Sequence, residues 1–290
     1  MIDMNLRRRF FAEELEAVGK LQSSALVDAF ATVPREQFLR PGPWTVMADV
    51  DFMGPSRTRS TPDADPARVY HNIAVAIDPS RQLFNGQPGT LGVWIDALGL
   101  SQGERVLHVG SGLGYYTAVM AHCVSTTGRV VAFEVDEALA AEARRNLASL
   151  AQVDVQHGDA SIMDGTFDAI LVNAGVTHPL DVWLDALNDG GRMILPLTAA
   201  MPAMGTTLGK GLVFALARRS ATDFAVRVLA PVAVYSAVGL RDEALNERLG
   251  KALMGGPMKW ASVRRLRRDE HLEAPECWYH GKGFCLTSSI

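Results

Sequence analysis

Cysteine is scarce in this chain. Cys123, Cys277 and Cys285 are the three in 290 residues, too few and too scattered for a disulfide framework or a zinc cage, so a reduced, cytoplasmic setting is expected. Long apolar runs are missing as well. The stretch 229–240, among the longest, is interrupted by Tyr235 and Ser236 and falls short of the roughly 18 residues that cross a bilayer, which excludes a membrane-spanning chain. The basic residues near the start (MIDMNLRRRFFAEELEAVG) are not followed by the apolar segment of a secretory signal. Excess positive charge is also absent. A net charge of −4 gives no pull toward nucleic acid. No internal repeat or low-complexity tract occurs. What is present is core-forming material, with 48% hydrophobic and 21% charged residues. That composition excludes disorder, and the length suits one large domain or two small ones.

Leu6, Phe10, Leu15, Val18 and Leu21 recur at near-helical spacing and predict one amphipathic helix over 3–22. Ser23 or Ser24 can cap a second, carrying Leu26, Val27, Phe30 and Val33, which Pro34 stops. The polar, breaker-rich run 57–66 (RTRSTPDADP) reads as a mobile loop. From about residue 89 helix and strand alternate. Strands are expected at 105–109, 129–134, 153–156, 167–173 and 191–196, with helices at 114–124, 136–150 (Leu139, Ala143, Leu147 and Leu150 on one face) and 179–187. Near-continuous apolar strands between helices predict an α/β fold with a doubly wound, mostly parallel, Rossmann-like sheet. Two long strand-like runs follow at 211–219 and 224–238, then a helix at 241–254 and a less regular tail from 259. The expected division is residues 1–83 as N-terminal helices and lid loop, 84–240 as the core, and 241–290 as a C-terminal extension.

The chemistry gathers at strand ends. After Val109 the chain turns through Gly110, Ser111, Gly112, Leu113 and Gly114 into a helix. Glycines there admit positive φ and let backbone amides approach a ligand, and the helix start favours an anionic group. Tyr115 stands where a dinucleotide fingerprint needs its third glycine, which disfavours a nicotinamide or flavin enzyme. Glu134 ends the second strand at the distance where such sites carry the acid for the ribose hydroxyls, about 20 residues on, and Val135 follows it. After the third strand come His157, Gly158, Asp159 and Ala160, whose carboxylate suits an exocyclic adenine amine. After the fourth, Asn173, Thr177 and His178 lie at the carboxyl edge of the sheet, where open α/β sheets bind ligands.

The glycine turn, the ribose acid, "GDA", "FDAILVNAG" and "LDALNDGGRMILPL" (184–197) resemble the ordered motifs of class I S-adenosylmethionine-dependent methyltransferases. More narrowly they resemble the protein-L-isoaspartate O-methyltransferase family. Pro34, Arg35, Glu36, Gln37 and Phe38 match its "PREKF"-like segment. Asn85, Gly86, Gln87 and Pro88 match its "ISQP" in part, and Pro231–Ser236 echo its "PVxFVP" strand. The likeness runs through roughly residues 23–240. It implies a methyltransferase sheet and S-adenosylmethionine as cofactor, held by Gly110, Ser111, Gly112, Gly114, Tyr115, Glu134, Val135, Asp159, Ala160 and Asn173. It implies a carboxylate acceptor on a peptide, protein or small metabolite, positioned by Asn85, Gln87 and His178. Three departures stand out. The family's active-site serine falls on Gly86, the acid that commonly ends the first strand is His108, and the loop 55–83 is long and polar.

Methyl transfer from a sulfonium is an in-line displacement, to which positioning can supply about 7–11 kcal/mol. A carboxylate is already nucleophilic at neutral pH, and charge disappears as it meets the sulfonium, so a dry site of positioning groups suffices. Asn85, Gln87, Thr90, Thr177 and His178 suit that. A small-molecule hydroxyl or amine acceptor, as in natural-product tailoring, would want a base, for which His178 or His71 would serve. A non-catalytic module that binds the cofactor and recognises damaged proteins is the third reading. Blander roles compete residue by residue: His178 as a cap for the helix after Pro179, His71 as a structural residue, His108 as a core histidine, and Asn85–Gly86 as a turn. The cluster Arg264, Arg265, Arg267 and Arg268 beside Asp269 and Glu270 reads as a solvated face. Cys277 and Cys285 flank a hairpin turning at Gly281 and Gly283, and no fourth ligand for a metal is evident, so no metal is expected.

Overall fold

Asp3 opens the first helix by accepting the amides of Asn5 and Leu6 on its carboxylate, which satisfies donors that the first turn leaves over. The computed structural model describes residues 3–48, 57–200 and 208–289. The chain forms two units, Met1–Val106 with Ser111–His157 and Leu107–Gly110 with Gly158–Ile290.

In the first unit, α1 (Met4–Gly19) buries Phe11, Ala12 and Leu15. Leu6, Phe10 and Val18 are exposed, so the buried stripe is offset from the expected one. The turn containing Phe11 and Ala12 sits inward; of the expected stripe Leu15 is buried within the helix, and Leu21 is buried just beyond the helix, which ends at Gly19 rather than at 22. Ser23 caps α2 (Ser24–Thr32), as expected, through the Leu26 amide. A small antiparallel sheet follows, ordered β2 (Arg59–Ser60), β1 (Thr45–Met47), β3 (Ala74–Asp78) and β4 (Leu83–Phe84). The run expected as a mobile loop is therefore anchored in its described part. The Thr61 hydroxyl accepts the Trp44 amide and donates to the Asp63 carbonyl, and Asp65 caps a 3-10 turn over Pro66–Val69. Beyond it lie α3 (Pro88–Leu98), β5 (Arg105–Val109), α4 (Tyr115–Val124), β6 (Arg129–Glu134), α5 (Glu137–Asn146) and β7 (Val153–His157), with β6 and β7 parallel. α5 ends earlier than expected. Leu147 is its C-cap and Leu150 lies in the turn beyond.

The second unit carries β8 (Phe167–Val172), α6 (Asp181–Asp185), β9 (Leu187–Ala199), β10 (Leu208–Arg218), β11 (Asp223–Tyr235), α7 (Glu243–Met254), α8 (Pro257–Trp260), β12 (Arg265–Arg267), β13 (Cys277–Gly281) and β14 (Phe284–Thr287). Its strands run in the order β13-β14-β12-β11-β10-β9-β8. β8 and β9 are parallel, whereas β9 through β14 pair antiparallel. The tail is thus regular, adding three strands that the polar, arginine-rich sequence conceals. Ile170, Leu171, Ile194, Phe214 and Phe224 make the unit's dry interior, and buried Trp183 donates its indole N–H to the Ala160 carbonyl at 2.9 Å. No helix among the described residues is long and apolar enough to cross a membrane.

Candidate functional site

Gly110, Gly112 and Gly114 all have positive φ, +81°, +55° and +96°, which is why the turn after β5 needs glycine. A side chain at Gly114 would also collide with Leu147 Cδ1 at 2.7 Å. Within the first unit the Ser111 amide donates to the Phe133 carbonyl at 3.0 Å, which fixes the turn against the end of β6. The Ser111 hydroxyl is buried and has no hydrogen-bond partner. A buried donor left over in this way is expensive unless a ligand meets it. Glu134 is 7% exposed. Its Oε2 accepts the Gly112 amide at 2.7 Å and its Oε1 the Asp136 amide at 3.1 Å. A carboxylate has about four acceptor positions, so each oxygen retains one. Burial pushes the Glu134 carboxyl above its ordinary range, and the two amides pull it back. Val135 beside it is 40% exposed, an apolar surface at a strand end.

The Tyr115 side chain faces the other way. At the first position of α4 its ring packs on Phe38 and Tyr116 and under Arg35, so only its backbone remains to meet a ligand. Arg35 is fully buried and donates to the carbonyls of Val69, His71 and Ile73, and at 3.5 Å to Asn85 Oδ1. Asn85 Oδ1 also accepts the Val75 amide, which leaves Nδ2 buried and without a partner. Gln87 starts α3, and its amide reaches the Ala48 and Asn72 carbonyls. Between them Gly86 has φ +78°, and a side chain there would meet Leu91 Cδ2 at 2.8 Å. His71 Nε2 lies 2.7 Å from an Arg7 guanidinium nitrogen. Since that group can only donate, the imidazole accepts and has a structural role.

In the second unit the Asn173 amide donates to the Val109 carbonyl at 2.8 Å, and its Nδ2 lies 3.4 Å from the Gly110 carbonyl. Asp159 Oδ1 accepts both the amide and the hydroxyl of Ser161, which hold the carboxyl below its usual range. Ala160 sits at φ +59°, a strained position for a residue with Cβ. His108 is fully buried, and desolvation drives it down to about 3, so it is a neutral core histidine.

His178 does not cap α6, whose N-cap is Leu180 without a side-chain bond. Its Nδ1 lies 2.9 Å from the Thr177 hydroxyl, which accepts the Asp242 amide at 3.0 Å. Either the hydroxyl or the ring can donate in that contact, according to the tautomer. Burial lowers its basicity, against the pull of Asp242 and Asp181. The ring stacks on Phe284 at 6.4 Å in a cleft of about 540 Å³ also lined by Asp181, Asp242, Arg248 and Lys282. Sequence reasoning missed two residues that shape this edge. Tyr279 donates to the Thr177 carbonyl at 2.7 Å, and half-buried Arg241 donates to the Gly175 and Thr198 carbonyls and to Asn246. Nothing in the sequence marks Arg241; Tyr279 lies in the hairpin but carries no recognisable motif. Arg265, Arg267 and Arg268 are paired with Asp223, Asp269, and Asp181 with Asp185, as a solvated face requires.

Residues 56–205 match the model of the family described as Protein-L-isoaspartate(D-aspartate) O-methyltransferase (PCMT). A protein-L-isoaspartate O-methyltransferase from Methylorubrum populi is 32% identical over 78% of this chain and 92% of its own length. The chain belongs to this family. One from Thermotoga maritima is 29% identical over 60% of this chain, a match that spans about half, 51%, of that relative. The fold agrees with a Plasmodium falciparum chain assigned as a protein-L-isoaspartate O-methyltransferase and solved with S-adenosyl-L-homocysteine, at TM-score 0.58 and 17% identity over 79% of this chain and 97% of that one. The chain is accordingly an S-adenosylmethionine-dependent O-methyltransferase with an α/β, Rossmann-like fold. The tailoring and non-catalytic readings are not favoured. The unpartnered Ser111 hydroxyl, the glycine turn and the remaining acceptor positions of Glu134 fit that cofactor.

Proposed function

We propose that this member of the family methylates the free carboxylate of an L-isoaspartyl residue in a peptide or protein. When bound, S-adenosylmethionine supplies an electrophilic sulfonium methyl. Gly110, Ser111, Gly112, Gly114 and Asn173 would hold its amino-acid end, and the Tyr115 backbone would close the turn. Glu134 would take the ribose hydroxyls and Val135 the face of the base. Asp159 Oδ2, left over by Ser161, would take the adenine amine, with Ala160 shaping the turn beside it.

The observation that carries the acceptor assignment is the environment of His178. Its Nδ1 is engaged by Thr177 and burial lowers its basicity. A ring of reduced basicity is poorly suited to be the base that a hydroxyl or amine would need, and with the Thr177 proton placed toward Nδ1 it would present Nε2–H to a carboxylate. Asn85 supplies a second unspent donor at Nδ2, and Gln87 anchors the segment that presents it. These groups orient an anion and move no proton, which is what a carboxylate nucleophile requires. The test uses paired synthetic peptides that differ only in an aspartyl or L-isoaspartyl linkage, with methyl-labelled cofactor. Label should enter the isoaspartyl peptide alone and leave as volatile methanol in mild alkali. Base-stable label, or equal labelling of the two peptides, would refute the proposal.

A further inference from the structure

The C-terminal extension brings together four groups spread over residues 271–285. One ligand atom from each of His271, Cys277, His280 and Cys285 falls within 4.8 Å of the others. The strand pairing explains how. In the β13–β14 hairpin His280 stands opposite Cys285, and Cys277 opposite Thr287. Cys277 and His280 are three residues apart and would face opposite sides of a regular strand. The register shift between Cys277 and Tyr279 turns them to the same side. His271 arrives on the preceding segment, its Nε2 3.6 Å from Cys277 Sγ.

We infer that His271, Cys277, His280 and Cys285 form a tetrahedral Cys₂His₂ site for Zn(II) that locks the C-terminal hairpin. Zinc bonds of about 2.3 Å to sulfur and 2.0–2.1 Å to nitrogen at a tetrahedral angle put such ligand atoms about 3.6 Å apart, which is the spacing seen between Cys277 and His271. The surroundings are those of ligands. His271 Nδ1 faces the Asp269 carbonyl at 3.1 Å and its carboxylate at 3.5 Å, which leaves Nε2 to the metal. The Ala274 amide points at Cys277 Sγ at 3.4 Å, a bond that steadies a thiolate. His280 Nδ1 is buried with no hydrogen-bond partner. On binding, each thiol gives up its proton to solvent and forms a sulfur–zinc bond. Two thiolates and two neutral imidazoles then balance the ion's charge, so the half-buried site carries none. Two soft sulfur ligands select zinc over magnesium or calcium. The fourth ligand that the sequence conceals is thus a histidine outside the hairpin.

The site bears on the cleft as well. The hairpin carries Tyr279, bonded to the Thr177 carbonyl, and Phe284, stacked on His178. Elemental analysis of the full chain, purified without chelator, should find about one zinc per chain. Cys277→Ser and His280→Ala should each lower that below about a tenth. Cobalt(II) should substitute and show the intense visible bands of a tetrahedral site with sulfur-to-metal charge transfer. If a variant fails to fold, the wild type still decides the matter. Titrating its thiols with an organomercurial should release zinc to a chromogenic chelator in proportion, and strong chelation should lower the melting temperature. Zinc-free wild-type protein, with Cys277 and Cys285 either open to alkylation or joined as a disulfide, would overturn the inference. None of these readouts depends on methyl transfer.

Discussion

Replacing Glu134 by glutamine tests the ribose assignment with little change of shape. In the native chain both carboxyl oxygens accept backbone amides, Gly112 at 2.7 Å and Asp136 at 3.1 Å, and each would accept one ribose hydroxyl besides. Glutamine keeps one acceptor oxygen and turns an NH₂ toward a backbone donor, so one ribose contact and one amide contact fail together. Hydrogen bonds to a charged group are worth about 1.5–3 kcal/mol each. The cofactor's affinity should therefore fall by about 2–3 kcal/mol, roughly 30- to 150-fold in Kd. The unliganded fold should change by no more than about 1 kcal/mol, because removing a buried charge offsets the lost amide contact. Calorimetric titration with S-adenosylhomocysteine measures the first quantity and thermal unfolding without ligand the second. The pH dependence separates charge from shape. Burial raises the Glu134 carboxyl, so wild-type affinity should weaken as pH falls through that elevated range and the acceptor becomes protonated, whereas Glu134→Gln should be flat there. Equal affinities in the two proteins would remove Glu134 from the cofactor site.

Restoring the family's hydroxyl by Gly86→Ser should fail. The backbone is at φ +78° and Leu91 lies 2.8 Å from the new Cβ, so a thermal melt should show a loss of about 1–2 kcal/mol with no gain in methyl transfer. Tyr279→Phe removes the hydroxyl bonded to the Thr177 and Leu245 carbonyls. It should cost about 1–1.5 kcal/mol in stability and raise KM for the acceptor while leaving cofactor binding near wild type, as steady-state kinetics would show. His108 is neutral in the fold, pushed down to about 3, but takes a proton near pH 6.5 when unfolded. Its contribution is therefore complete above pH 6.5 and is lost as pH falls toward 3, by up to about 1.4 kcal/mol per unit. Denaturant melts between pH 6.5 and 4.5 should show that slope, and His108→Gln should flatten it.

The sheet strands and cofactor turn were legible because they depend on local patterns. An apolar run ending in glycines marks β5 and its turn, and an acid at the end of the next strand marks Glu134. Offsets arose where two patterns compete. In α1 both the Phe10 and the Phe11 stripes have helical spacing, and only packing decides that Phe11, at 0% exposure, is the inner one. The tail was opaque for another reason. β12 is only three residues long and rich in arginine, and its charges are neutralised by Asp223 and Asp269, which a sequence does not pair. The grouping of Cys277 with His280 depends on a register shift of one residue, which no periodicity announces.

The substitution at Gly86 and the lowered basicity of His178 point to one account of the chemistry. A serine hydroxyl at residue 86 would offer a donor to an acceptor carboxylate. The left-handed backbone forbids that side chain, yet it leaves Asn85 held through Oδ1 by Arg35 and the Val75 amide, with Nδ2 unspent. A donor is thus displaced by one residue along the same segment rather than lost. His178 would offer another through Nε2–H if the Thr177 hydroxyl donates to Nδ1. On the proposed function, Asn85 would serve the anionic acceptor in place of the family's serine, and the lowered basicity of His178 would disfavour a neutral one.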